Sequence, residues 1–395
     1  MTNDNKTIVE GFNKFFVEIG PNLAKQIPAT NLESTSLLPP SSNESLVLLP
    51  TDPVEVKSII ISLKNSSACG VDQIPISVIK SVIEHISPIL ASLINFSLQE
   101  GIFPNALKVA KILPVYKSGN HMHITNYRPI SLLNCFSKIY EKVLYNRLEK
   151  FFEKQQTLYD QQYGFRKNRS TQLTLISFID NLTEAIDKNE YAISIFIDLS
   201  KAFDTIDHSI LMKKLYNYGI RGLANDIFKN YLSNRFQGVT VGRITSTLES
   251  ISCGVPQDSI LGPILFLLYI NDIYRCSALL QFFLFADDTT ILYSSKNIVE
   301  LIDTVNKELL TLTDWFRANK LSLNVSKTNY IIFQNYKTNF INPDVILDSK
   351  AITKVQSTKF LGVEIEYKLT WKDHIQIVEK KISFAIFIIK KLYIK

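Results

Sequence analysis

Phe282-Phe-Leu-Phe-Ala-Asp287-Asp288-Thr-Thr-Ile-Leu-Tyr293 is the stretch on which the fold turns. Two apolar runs flank a pair of acids, so Gln281 to Ser295 reads as a β-hairpin with the acids at its tip. Two-residue turns favour residues that tolerate unusual backbone angles, and Asp does. Taken alone, the pair is a tight turn. A second strand changes that reading: Tyr191-Ala-Ile-Ser-Ile-Phe-Ile-Asp198 is also apolar and also closes on an acid. If both elements lie in one sheet, their carboxylates converge at one edge, which costs stability unless a cation sits between them. Hard oxygen ligands with no His or Cys nearby point to Mg²⁺ rather than zinc. Two such ions, about 3.5–4 Å apart, can bridge an attacking hydroxyl and a leaving phosphate. That is the chemistry of nucleotidyl transfer. A Mg²⁺ phosphohydrolase could use the same three acids.

Outward from these strands the pattern is α+β, with no internal repeat. Short helices are expected over Ser209–Tyr218 and Ala224–Leu232, a hairpin over Phe236–Val241 and Leu248–Ser252, and a buried helix over Ser259–Tyr274. A helix over Ile298–Asn319 precedes strands at Asn329–Phe333 and Lys359–Glu364. Upstream, Lys108–Tyr116 reads as a strand, Ser131–Phe152 as a long helix, and Ile76–Ile86 and Pro88–Gln99 as two more. Asp52 is placed to cap a helix with Pro53 at its first position and Glu55 at capping-box spacing. Before it, a short helical stretch at Phe12–Ile19 leads into a linker rich in Pro, Ser, Thr and Asn through Pro50.

The 395 residues, 46% hydrophobic, are enough for two or three subdomains around a large core. Net charge is +6, but Gly101 to Ser170 alone holds twelve Lys/Arg against four acids, a local +8. So basic a segment in a foldable stretch points to a polyanionic partner, and tips the choice towards a nucleic-acid polymerase. Its plainer reading is a set of solvated helix faces. Cys69, Cys135, Cys253 and Cys276 form no CxxC pair, and the five His give no zinc spacing, so reduced thiols are expected. The polar start, Met1–Glu10, lacks a signal peptide's apolar core, and the longest apolar run, Ile260–Ile270, is too short to span a bilayer. An intracellular protein with no membrane partner is the expectation.

From Ala68 to His374 the chain resembles the reverse transcriptases of non-LTR (LINE-type) retrotransposons, with the family's motifs in order. These are Cys69-Gly-Val-Asp-Gln-Ile-Pro75, Ile112-Leu-Pro-Val-Tyr-Lys117, Asn126-Tyr-Arg-Pro-Ile-Ser-Leu-Leu133 and Tyr163-Gly-Phe-Arg166 through Ser170-Thr171. Phe196-Ile-Asp198 through Phe203-Asp204, Gly254-Val-Pro-Gln257 through Pro263, and Phe285-Ala-Asp287-Asp288-Thr289 follow. Leu321 through Lys327-Thr328 and Phe360-Leu-Gly-Val363 complete the set. The resemblance implies a right-hand polymerase of fingers and palm (96–366), a helical N-terminal extension (1–95) and a truncated thumb (367–395). It implies an RNA template, a DNA primer and dNTPs, with two Mg²⁺ ions on Asp198, Asp287 and Asp288. Lys117 and Arg128 would meet the triphosphate, and Gln257 would seat the nucleotide. Phe203 would act as a steric gate against the ribose 2′-hydroxyl, and Lys327 as a proton donor to pyrophosphate. Arg166, Phe360, Leu361 and Gly362 would hold primer and template. The plainer readings are surface charge for the cations, a core Phe, a turn lysine and a strand with a Gly bend. Asp204, Asp207 and His208 read as loop and cap residues.

Three departures stand out. Asp258 occupies a position where the family usually has Gly, so it should either obstruct the nucleotide seat or turn away and cap the helix near Ser259. The chain stops at Lys395, and neither an endonuclease-sized region before residue 50 nor a zinc knuckle after the thumb is present. A fragment or decayed copy of a longer protein fits these. The alternative function is a catalytically impaired nucleic-acid-binding remnant.

Overall fold

The computed structural model describes residues 4–65, 68–334 and 344–393. In chain order it holds α1 (Asn5–Gln26), α2 (Pro53–Ser62), α3 (Ile76–Ser81), α4 (Ile83–Glu100), β1 (Val109–Tyr116), β2 (Tyr127–Leu132), α5 (Cys135–Gln155), α6 (Thr171–Asp187) and β3 (Tyr191–Ile197). Then come α7 (His208–Asn217), α8 (Leu223–Leu232), β4 (Arg235–Val241), β5 (Ile244–Thr245), β6 (Glu249–Ile251), α9 (Leu261–Ile270), β7 (Gln281–Phe285), β8 (Asp288–Ser295) and α10 (Ile298–Ala318). The last are β9 (Asn329–Phe333), β10 (Ile346–Leu347), β11 (Lys350–Ala351), β12 (Thr353–Lys354), β13 (Ser357–Phe360), β14 (Val363–Glu366) and α11 (Lys372–Tyr393). No helix among the described residues is long and apolar enough to cross a membrane.

Two compact units interleave along the chain. Met1–Tyr159, Lys201–Arg275 and Asp314–Ser322 form the first, and Asp160–Ser200, Cys276–Thr313 and Leu323–Lys395 the second. The N-terminal helices share the first unit with residues up to Tyr159.

The first unit is built on a sheet of order β2-β1-β4-β5, with β6 on β4. β1 and β2 pair antiparallel from Lys111↔Leu132 to Tyr116↔Tyr127, and β4 runs parallel to β1. Val9, Phe12 and Phe16 of α1 pack on Ala110, Ile112, Leu133 and Val239 of this sheet. α1 runs well past the short Phe12–Ile19 stretch expected, through Gly20 and Pro21 to Gln26. Gly20 is needed there: a Cβ would lie 2.3 Å from the Asp204 carbonyl oxygen. Asp52 caps α2, accepting from the Glu55 N–H at 2.8 Å. The capping box is not completed, because the Glu55 carboxylate turns to Thr51 Oγ1 at 2.7 Å and to Arg147 of α5. The break between α3 and α4 falls at Val82 rather than before Pro88, which sits inside α4. Pro88 forfeits one bond, to the carbonyl of Glu84, an exposed residue. Ser131 and Leu132, expected to begin a helix, instead close β2. The expected 236–252 hairpin forms as β4 with β6, joined by β5 and extended sideways onto β1.

In the second unit the order is β12-β9-β3-β8-β7. β3 lies in the middle, which explains its nearly continuous apolar run. It pairs antiparallel with β8 from Tyr191↔Ser295 to Ile197↔Thr289, and with β9 from Ala192↔Phe333 to Phe196↔Asn329. Phe178, Leu182 and Ala185 of α6 bury one face of this sheet with Phe283, Leu292, Ile331 and Phe333. The strand expected over Lys359–Glu364 is a hairpin instead, β13 with β14. Leu361 and Gly362 turn it with φ of 46° and 92°, a pair of positive angles that a straight strand excludes. α11 exposes Ile375, Ile382 and Phe384; residues 394 and 395 of the expected thumb segment lie outside the described residues, as do residues 1–3 of the polar start.

One buried ion pair stiffens the first unit. Lys214 Nζ donates to Asp272 Oδ1 at 2.5 Å and to the Tyr269 carbonyl at 2.7 Å, while Trp315 Nε1 donates to Asp272 Oδ2 at 3.0 Å. Both charged side chains are 0% exposed. Removing one partner strands a buried charge, so Asp272→Ala should lower the unfolding free energy in urea by about 3–5 kcal/mol. Lys214→Met combined with Asp272→Leu should cost less than that single change; an additive loss would contradict this account.

Candidate active site

The second unit brings the three strand-end acids to one sheet edge. β3 ends with Ile197 opposite Thr289, so the next step in register sets Asp198 opposite Asp288. Antiparallel neighbours have Cα atoms about 4.5–5.5 Å apart. Asp287 lies in the two-residue turn closed by Phe285↔Asp288. The residue with positive φ in that turn is Ala286, at 56°, not an Asp as the turn chemistry led one to expect. Asp287 and Asp288 are exposed and Asp198 is half-buried.

Asp198 is held on three sides by the turn that precedes β9. Its Oδ2 accepts from Asn324 Nδ2 at 2.7 Å, its N–H donates to Thr328 Oγ1 at 3.2 Å, and its carbonyl accepts from the Asn324 N–H at 2.9 Å. The same turn carries Lys327, exposed, with its N–H on the Asn324 carbonyl at 3.1 Å. Asn324 and Thr328 are thus supports that the sequence reading did not single out. Their signal is membership of the Leu321–Thr328 motif, in which only Lys327 carries an expected role. Among the described residues no three His, Cys, Asp or Glu side chains close into a metal cage. The donors at the sheet edge still match a hard divalent cation in kind: carboxylate oxygens, without nitrogen or sulfur.

The residues of this unit expected to hold primer and template fare unequally. Phe360 is 4% exposed and packs edge-on against Phe178 at 5.3 Å, so its ring belongs to the core. Leu361 and Gly362 form the turn itself. Arg166 donates from Nη1 to the Gln162 carbonyl at 3.1 Å.

Lys117, Arg128, Phe203 and Gln257 belong to the first unit. Lys117 and Arg128 are exposed at the same end of the β1–β2 hairpin, where Val115 pairs with Arg128 and the Lys117 N–H donates to the Asn126 carbonyl at 2.8 Å. Phe203, half-buried, stacks on Phe266 with centroids 4.6 Å apart. The segment before α9 is locked to the Phe203 loop: Val255 N–H donates to the Phe203 carbonyl at 3.0 Å and Gly254 N–H to the Ile206 carbonyl at 2.8 Å. Gln257 Nε2 donates to Asp204 Oδ1 at 2.8 Å, and its carbonyl accepts from Ser131 N–H at 3.0 Å. Asp204 lies in the connection between β3 and α7, as expected, but it is not a solvated loop acid. Its carboxyl is buried, and that desolvation pushes its pKa up to about 6 despite Gln257 and Lys201, which favour the charged form. Asp207 does cap α7, accepting from the Ser209 and Ile210 N–H groups at 2.9 and 3.1 Å.

Asp258 has φ of 77°, the left-handed backbone that makes glycine the usual occupant. Its carboxylate turns to Lys138 Nζ at 3.2 Å, and its side chain is 56% exposed. It does not cap α9. Glu141 of α5, 0% exposed, does so instead: its Oε2 accepts from the N–H groups of Ile260 and Leu261 at 2.7 and 3.3 Å.

Residues 115–365 match the family model described as reverse transcriptase (RNA-dependent DNA polymerase). The chain is 30% identical over 349 residues to the "Probable RNA-directed DNA polymerase from transposon BS" of Drosophila melanogaster, covering 84% of this chain and 38% of that protein. It is 30% identical over 356 residues to the "RNA-directed DNA polymerase from mobile element jockey" of Drosophila funebris, covering 87% of this chain and 38% of that protein. The chain thus spans well under half the length of these curated relatives.

Glycine relieves the strain at position 258, and the exposed ion pair lost with Asp258 contributes little. Asp258→Gly should therefore raise the unfolding free energy by about 1 kcal/mol; a loss of stability would show that the Lys138 contact dominates. Asp204 gives a pH signature. The folded carboxyl keeps its proton up to about 6, whereas the unfolded one releases it near 3.8. The folded state binds more protons in that window, so stability should fall as pH rises through it. Urea midpoints measured across that range should show the fall in the native chain and its absence from Asp204→Asn, whose amide still accepts from Gln257.

Proposed function

The chain belongs to the reverse transcriptase (RNA-dependent DNA polymerase) family, and from that premise we propose that it copies an RNA template into DNA, as a polymerase of the non-LTR retrotransposon type. In this reading residues 96–366 are fingers and palm, residues 1–95 a helical extension and residues 367–395 the start of a thumb. The observation that carries the proposal is the β3–β8 register, which sets Asp198 and Asp288 on adjacent strand ends beside the Asp287 turn.

The reaction joins the primer 3′-hydroxyl oxygen to the α-phosphorus of a dNTP and breaks the bond to pyrophosphate. Asp198, Asp287 and Asp288 would hold two Mg²⁺ ions, which supply positive charge to the attacking and leaving oxygens. Asn324 fixes the carboxylate plane of Asp198 for that task. Lys117 and Arg128 neutralise the triphosphate, and Lys327 gives its proton to the departing pyrophosphate. Gln257, its amide oriented by Asp204, seats the nucleotide. Phe203, backed by Phe266, bars a 2′-hydroxyl. Arg166, Leu361 and Gly362 contact the primer–template backbone, whereas Phe360 acts through its packing.

Primer extension on an RNA template tests the proposal. Asp198→Asn or Asp287→Asn should reduce extension by more than the roughly 10–100-fold typical of losing an outer-shell partner. Activity retained in either variant contradicts the assignment. Binding without extension would reveal a remnant that only holds nucleic acid, and phosphate release without extension a phosphohydrolase. Phe203→Val should raise the ratio of rNTP to dNTP incorporation; an unchanged ratio makes Phe203 a core residue only.

A further inference from the structure

The turn that carries Asp287 rests on an alanine in an unfavourable conformation. Ala286 has φ of 56°, which residues with a Cβ adopt at a steric cost. It is also 4% exposed, so its N–H cannot turn to water. Turn chemistry alone does not hold this shape, since neither Gly nor Asn occupies the position.

A neighbouring segment supplies the hold. Gln161–Gly164 runs beside β7: the Leu284 N–H donates to the Gln161 carbonyl at 2.9 Å, and the Tyr163 N–H donates to the Leu284 carbonyl at 2.8 Å. From this short parallel bridge the Gln162 side chain, 2% exposed, reaches the turn. Its Oε1 accepts from the Ala286 N–H at 3.2 Å and from the Gly164 N–H at 2.8 Å. Both neighbours are donors, which fixes the amide's orientation. The approach depends on Gly164, where a Cβ would lie 2.2 Å from the Ala286 nitrogen. The Gln162 Nε2, by contrast, is buried with no hydrogen-bond partner among the described residues. A buried donor left unsatisfied is costly. An apolar side chain of equal length would fill the same space without that cost, so volume does not explain a glutamine here; its acceptor does.

We propose that Gln162 is a positioning residue for Asp287: by holding the Ala286 N–H it fixes the left-handed turn and thereby the direction of the Asp287 carboxylate. This rests on the polymerase reading, in which Asp287 binds a divalent ion.

The test uses the full chain with Gln162→Met, Gln162→Glu, Ala286→Gly and the double variant Gln162→Met/Ala286→Gly, with Asp287→Asn as control. Hydrogen exchange of peptides spanning residues 282–292 reads the turn without any activity, and steady-state primer extension reads its consequence. Gln162→Met should accelerate exchange at Ala286 and lower kcat by roughly 10–100-fold, with KM for the dNTP within about twofold. Gln162→Glu should impair both readouts less than Gln162→Met, because its carboxyl keeps the acceptor even though a buried charge is costly. Adding Ala286→Gly to Gln162→Met should recover at least about tenfold in kcat, since glycine takes positive φ without steric cost.

A folded Gln162→Met with unchanged exchange or unchanged kcat overturns the proposal. So does a Gln162→Glu as impaired as the methionine variant. Should Gln162→Met fail to fold, the double variant decides, because a turn relieved by glycine no longer needs the brace; its failure to fold as well would refute the inference. Failure of the polymerase reading is separately visible, as a native chain that does not extend primers or an Asp287→Asn that still does, and the exchange measurements then still judge the brace.

Discussion

Antiparallel pairing between β3 and β8 is the constraint from which the candidate site follows. Seven cross-strand pairs place Ile197 against Thr289 and so decide which carboxylates become neighbours. A slip of one residue would turn every β3 side chain to the opposite face, sending Ile193, Ile195 and Ile197 where Ser194 and Phe196 now point. β9 pins the register from the other side and leads back to the turn whose Asn324 and Thr328 hold Asp198. Like charges at neighbouring strand ends repel. The core formed by Phe178, Phe283, Ile331 and Phe333 under the same sheet supplies the stability that tolerates them.

Around this edge, and separately in the first unit, buried polar side chains hold loops that no strand ladder reaches. Gln162 braces a strained turn, Asp204 orients Gln257, and Glu141 satisfies the start of α9. Each places one polar atom where a backbone N–H or an amide would otherwise lack a partner. Asp258 differs from these: it occupies a left-handed backbone position and its exposed carboxylate meets a half-buried lysine.

The strands that end in acids were legible because a near-continuous apolar run closing on a charge has few other solutions. The cap at Asp52 was legible because capping is decided within four residues. What was not legible depends on distant partners. A short helix at Phe12–Ile19 was expected, whereas α1 extends from Asn5 to Gln26 along the sheet it packs on. Phe360 looked like a primer contact, but its ring meets Phe178, nearly two hundred positions away in sequence. The +8 of Gly101–Ser170 overstates the charge open to a partner: Lys108 is 1% exposed, and Arg147, Lys138 and Lys154 contact Glu55, Asp258 and Glu44. Asp204 reads in the sequence as a loop residue, and Gln162 carries no signal there, since burial of a carboxyl or an amide cannot be counted from composition.

The central claim is that the sheet edge at Asp198, Asp287 and Asp288 binds the divalent ions of a polymerase. Mn²⁺, whose free form gives a sharp electron paramagnetic resonance signal, can replace Mg²⁺ in a titration of the chain with a chain-terminated primer on an RNA template and the next dNTP. The account predicts about two ions bound per chain, with binding weakened by Asp198→Asn while the variant stays folded. Mn²⁺ binding that is indifferent to Asp198→Asn would contradict it.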